Sequence, residues 1–234
     1  MLCSARFRFV SLAVAAGLTG LLMAGTSAAM PLGAPAASCT SSPYAYAGLA
    51  DNNPAGGVKA VITPLADAQV PNGHVAGWIG VGGANAGPGG QAEWIQAGIA
   101  TVAGGSTEVY AEITQPGLAP RYQTLRTNVN AGASYRLAVL EVPGSQNVWQ
   151  VWLDGVPVTN PVLLPGSANF APMVVSESWN GGTPTCNGFA YGFGNVQVSP
   201  KAGKWSRLGD ATSFSDNGYR IVDRSLTGFS AISG

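Results

Sequence analysis

Between residues 155 and 209 the chain carries one acidic side chain, Glu177, set in the apolar run PMVVSESW at 172–179. Strand alternation places it on one face with Met173, Val175 and Trp179. On a partly buried concave face such a carboxyl acquires a raised pKa and suits general acid/base work. Exposed among apolar neighbours it is an inert surface group, and the pattern alone leaves both readings open. A second candidate is Gln96 in the segment WIQAG. A primary amide on a sheet face can hold a water or donate to a developing oxyanion, and it can equally be a satisfied sheet amide.

Other chemistries lack their residues. A Ser/His/Asp triad needs an imidazole, and the single histidine, His74, follows Pro71, Asn72 and Gly73 with no G-x-S-x-G element in the chain. Zinc needs several His or Cys at short spacing, and no EF-hand loop is present, so no metal site and no cofactor are expected. The glycines at 80, 82 and 83 precede neither a Lys-Ser/Thr pair nor a helix, as a phosphate loop would. Eleven Lys and Arg, scattered singly and balanced by 11 acids, give no basic stripe for nucleic acid.

These side chains need a scaffold, and the chain's texture says which. Of 234 residues 46% are apolar and 9% charged, which excludes disorder and coiled coil. Arg6 and Arg8, an apolar run over 9–23 and small residues at 27–29 read as a signal peptide over 1–29, which implies export and no stable membrane insertion. Its removal leaves nine basic residues against eleven acidic, a net charge of −2, and takes Cys3 away. Cys39 and Cys186 then remain, either bridged in an oxidising compartment or as two thiols. Residues 30–43 are small and Pro-rich, a leader segment.

Short β-branched or aromatic runs bounded by Gly, Pro or Asn follow at 58–64, 74–81, 92–102, 107–114, 135–142, 148–153, 156–159, 172–179 and 189–198. Asp154-Gly155 between two of them is a tight hairpin signal. No sustained helical period appears. An all-β, antiparallel two-sheet β-sandwich over 44–199 is expected, with 200–234 as a C-terminal extension, a solvated edge or an appended hairpin. Strand lengths do not separate an immunoglobulin-like order from a jelly roll.

The order of motifs resembles that of the glutamic peptidases, the eqolisins. Trp78-Ile79-Gly80-Val81-Gly82-Gly83 is similar to their Trp-Val-Gly-Ile-Asp-Gly, and Ile95-Gln96-Ala97-Gly98-Ile99 to Leu-Gln-Thr-Gly-Val. Glu112 stands at the place of the Glu in Trp-Tyr-Glu-Trp-Tyr-Pro. Ser176-Glu177-Ser178-Trp179 echoes Ala-Glu-Trp-Ile, and the run from Phe189 to Gly194 echoes Phe-Ala-Asp-Phe-Gly. The likeness covers about 73–198. It departs where Gly82 or Gly83 replaces the signature Asp, where the aromatic pair around Glu112 is lost, and where Ser178 follows Glu177.

The resemblance implies a concanavalin A-like jelly roll and a secreted monomeric acid endopeptidase acting on polypeptide. Glu177 would be the general base on a water attacking the scissile carbonyl and would return the proton to the leaving amine. Gln96 would orient that water and stabilise the oxyanion, with Trp78, Glu112 and Trp179 binding substrate. The alternative is a non-proteolytic glycan-binding or glycan-acting module, with Trp94, Trp149, Trp152 and Trp179 stacking on sugars beside Asn180 and Asn187, and Glu112 with Glu177 as a carboxyl pair. The third possibility is a ligand-free surface or structural protein.

Overall fold

The computed structural model describes residues 42–183, 186–200, 204–208 and 211–234. The expected signal peptide, most of the leader and Cys39 lie outside them. In chain order the strands are β1 (Tyr44–Ala50), β2 (Gly57–Pro64), β3 (His74–Gly83), β4 (Glu93–Val102), β5 (Thr107–Thr114), β6 (Arg121–Arg126), β7 (Tyr135–Glu141) and β8 (Val148–Leu153). There follow β9 (Val156–Pro157), β10 (Val162–Leu163), β11 (Pro172–Trp179), β12 (Ala190–Ser199), β13 (Ser206–Arg207), β14 (Thr212–Ser215), β15 (Tyr219–Val222) and β16 (Phe229–Ser233). Among the described residues the helical elements are two single 3₁₀ turns, at Pro88–Gly90 and Ser167–Asn169.

The strands form two antiparallel sheets. One has seven strands in the order β14-β1-β11-β3-β4-β5-β6. The other has nine, with β10-β8-β7-β2-β12-β16-β15 as its path, β13 added to β12 and β9 to β8. The architecture is the expected two-sheet antiparallel β-sandwich. At the expected hairpin, Asp154 and Gly155 both take positive φ, and Leu153 pairs with Val156.

Alternation sorts each strand into two faces. Val75, Ile79 and Val81 of β3, Ile95, Ala97 and Ile99 of β4, and Val174 of β11 enter the core between the sheets, against Ile62, Leu137, Val151, Tyr191 and Phe193. The opposite face of the seven-stranded sheet carries a second, smaller cluster of Ala76, Trp78, Ala100, Tyr110 and Val175. That cluster is the floor of a concave surface.

The sandwich does not stop at 199. β14 pairs with β1, while β15 and β16 form a hairpin that continues the other sheet from β12, so of the expected alternatives the appended hairpin describes this segment. The reason is burial: Tyr219, Phe229, Ala231 and Ser233 are buried, an alternation that the scattered charges of the segment mask in the sequence. Phe214 is thereby brought to the concave face.

One close approach between the sheets fixes a residue choice. A Cβ on Gly77 would stand 2.7 Å from Cγ of the Tyr191 ring, which lies against the bare backbone of β3. Gly77→Ala should therefore overpack the core and cost about 1–3 kcal/mol, measured as a lowered midpoint in denaturant unfolding. An unchanged midpoint would show that the Tyr191 ring can yield without cost.

Candidate binding cleft

Strand register decides which side chains meet on the concave face. Gln96 of β4 lies opposite Gly80 of β3 on one side and Glu112 of β5 on the other. Beyond Gly80 the next residue in this row is Met173 of β11, and beyond Glu112 it is Tyr122 of β6. Gly80 is bare here for room, since a Cβ would stand 2.8 Å from Cβ of Gln96. The next row holds Val175, Trp78, Gly98 and Tyr110, and the one after it Tyr46, Glu177, Ala76, Ala100 and Glu108.

Gln96 and Glu177 thus share a face but not a row. They stand four residues apart along the strands and two strands apart across them, about 13 Å by about 10 Å between backbones. The side chain facing Gln96 across Gly80 is that of Met173, which has no carboxyl, and both Gln96 and Glu177 line the same cleft. Parity along β11 makes Met173 and Glu177 equivalent in sequence, and only the pairing separates them.

Each polar group has its own partners. Glu177 Oε1 lies 2.9 Å from His74 Nε2, and Trp78 Nε1 donates to Glu177 Oε2 at 3.3 Å. This contact is sheltered, with side chains 28% and 14% exposed for His74 and Glu177. Gln96 Nε2 donates to the Tyr110 hydroxyl at 3.4 Å, and Trp94 Nε1 donates to Glu112 Oε1 at 3.1 Å. Glu108 at the rim accepts from Tyr122 and Thr124.

Together these residues line a cleft of about 810 Å³, within the range of a ligand site. Its walls are aromatic: Tyr44 and Tyr46 at one end, Trp78 and Tyr110 on the floor, Trp94 and Tyr122 towards β6, and Phe214 from the C-terminal segment. Tyr110 and Tyr122 stack at 5.0 Å. Trp78 and Glu112 line the cleft, while Trp179 stands outside its lining, stacked on Tyr44 and tilted against His74. Sequence reasoning passed over Tyr44, Tyr46, Tyr110, Tyr122, Met173 and Phe214. The alternation of Tyr110 with Glu112 and of Tyr44 with Tyr46 was the available signal.

The glycan-stacking set does not assemble on this face. Trp149 is 1% exposed in the core, Trp152 belongs to β8 of the other sheet, and Asn187 is buried, donating to the Trp179 carbonyl at 2.9 Å. Among the described residues no three His, Cys, Asp or Glu gather to hold a metal, and no helix is long and apolar enough to cross a membrane.

Neither family models nor curated protein sequences match the chain. Solved structures do. A scytalido-glutamic peptidase bound to a transition state analog inhibitor superposes with a TM-score of 0.59 at 17% identity, covering 81% of this chain and 98% of that one. The fold is that of the glutamic peptidases. SCP-B, a member of the eqolisin family in complex with the tripeptide Ala-Ile-His, gives a TM-score of 0.56 at 16% identity over the same shares. The likeness lies in the sandwich.

The cleft is acidic, with a largely apolar lining. Burial pushes the Glu112 carboxyl above its usual range, the Trp94 N–H opposes this, Glu177 adds to it and His74 opposes it. A carboxyl whose folded pKa exceeds its unfolded one binds protons more readily when folded. Its ionisation therefore costs stability above the folded pKa, and that cost vanishes as the pH falls below the unfolded value. Glu112→Gln should raise the melting temperature at neutral pH and leave it unchanged in acid, read from thermal unfolding of both proteins across pH. Parallel profiles would show a fully hydrated carboxylate.

Proposed function

We propose that this chain binds an extended polypeptide segment on its concave sheet and does not cut it with a Gln/Glu pair. The observation that carries the reading is the register: Gln96 faces Met173 across Gly80, while Glu177 is occupied by His74 and Trp78. In support of it, the two groups stand in different rows of the cleft, and Glu177 is hydrogen-bonded to His74 and Trp78. What supports a polypeptide as occupant is the aromatic cleft itself, together with the fold neighbours, whose structures contain a transition state analog inhibitor or a tripeptide.

A second reading, acid hydrolysis of peptide bonds, has one observation in its favour. Glu112, with its raised pKa, is the direct cross-strand neighbour of Gln96, and such pairs bring side chains into contact. In that reading Gln96 orients the water and stabilises the oxyanion. A cleft carboxyl, Glu112 or the Glu177 of the motif echo, takes the proton and returns it to the leaving amine.

One experiment separates the two. The purified chain is titrated with unstructured peptides while its tryptophan fluorescence is followed, since Trp78 and Trp94 line the cleft, and the peptides are then recovered and weighed by mass spectrometry from about pH 2 to pH 7. Saturable fluorescence change with intact peptide is expected. Acid-limited cleavage, abolished by Gln96→Ala and by Glu112→Gln or Glu177→Gln, would establish the hydrolase instead.

The export reading belongs with this proposal: residues 1–29 direct secretion, and Cys39 pairs with Cys186. Support comes from the residue pattern of the N-terminal segment and from Cys186, which is held in a disulfide. Peptide mapping of the secreted chain without reductant should recover a Cys39–Cys186 linked fragment. Two alkylatable thiols would overturn the pairing.

A further inference from the structure

Resting on the peptide-binding reading, and deepening it, we infer that the bound segment places a basic side chain, Lys or Arg, against Glu112. The cleft's charges are unbalanced. Among the described residues its lining includes two carboxyls, Glu112 and Glu177, and one His, with no Lys or Arg. Glu177 is already matched to His74 at 2.9 Å. Glu112 has no ion pair among the described residues, and the only hydrogen bond recorded to it is the Trp94 N–H on Oε1.

The surroundings of Glu112 suit a cation. Trp94 holds its carboxyl from β4, and Tyr122, its register partner on β6, leans over Tyr110 in the next row, so aromatic rings stand near it in the cleft. Ring faces attract ammonium and guanidinium groups, the more so when water is excluded. Gln96, its partner on β4, spends an N–H on Tyr110 and retains a carbonyl oxygen that can accept from the same cation. The arginines nearest along the strands do not serve. Arg121 pairs beside Ile113 one residue out of phase with Glu112, and it lines a separate pocket with Gln115 and Gln123 instead. The raised pKa of Glu112 is what a half-buried carboxyl without a counter-ion should have, and an arriving cation supplies that counter-ion.

The test compares arginine with citrulline, its uncharged isostere, at the third position of an acetylated, amidated hexapeptide otherwise built of Ala and Phe. Binding to the full chain is measured by calorimetry. The arginine peptide should bind about tenfold tighter or better, the margin of a charge-assisted hydrogen bond in a sheltered site. Glu112→Gln, in which the amide oxygen still accepts from Trp94, should bring arginine down to the citrulline affinity and leave citrulline unchanged. Equal affinities in the wild type, a preference that survives Glu112→Gln, or one that disappears only in Glu177→Gln, would each overturn the inference. Those outcomes keep the peptide reading. Failure of both peptides to bind a chain shown to be folded by circular dichroism would overturn the peptide reading and this inference with it.

Discussion

The pairing of β3 with β4 on one side and β11 on the other is the constraint from which the cleft follows. All three strands send alternate residues into the core, so their register is locked by burial: a slip of one residue would turn Val75, Ile79, Ile95, Ile99 and Val174 out of the sandwich and drive Trp78, Gln96 and Glu177 into it. A slip of two would keep the faces and move every row of the concave surface. The bare backbones of Gly77 and Gly80 oppose that second error. Tyr191 lies against the first and Gln96 against the second, and a shift of two residues would bring side chains into both places.

That distinction explains what was legible in the sequence. Faces have a period of two and are written in the residues: the alternation of β11 puts Met173, Val175, Glu177 and Trp179 on one side, and the apolar alternation of β3 and β4 implies a sandwich. Rows depend on where one strand starts against another. That offset is set by loops, such as 84–92 between β3 and β4, and by glycine contacts visible only in three dimensions. Gln96 and Glu177 were therefore legible as residents of one face but not as residents of different rows. The tryptophans failed for a related reason, since Trp149 and Trp94 look alike in one dimension while one fills the core and the other lines the cleft. In the C-terminal segment the choice between a solvated edge and an appended hairpin was not legible, because its charges sit between the buried Tyr219, Phe229 and Ala231.

The two faces of the seven-stranded sheet carry separate duties. The core side is a large cluster of aliphatic and aromatic side chains, whose burial supplies most of the folding energy. The cleft side is a thin aromatic layer in which polar groups are tied to ring N–H or O–H donors: Trp78 to Glu177, Trp94 to Glu112, Tyr122 to Glu108. Such bonds hold carboxyls in place while leaving oxygen atoms to accept more. They also take the carboxyls partly out of water, where each interaction with a ligand counts for more.

A shared sandwich therefore says little about shared chemistry. At 17% identity the superposition with a glutamic peptidase rests on the period-two core, which many sequences satisfy. Chemistry on this face depends instead on the row in which a carboxyl stands. With Met173 beside Gly80, the row of Gln96 presents an apolar side chain on one side and the Glu112 carboxyl on the other. A carbonyl placed over Gln96 would meet a thioether from the β11 side. From the β5 side it would meet the Glu112 carboxyl, the direct cross-strand neighbour of Gln96, so the chemistry open to this row is set by β5 rather than by β11.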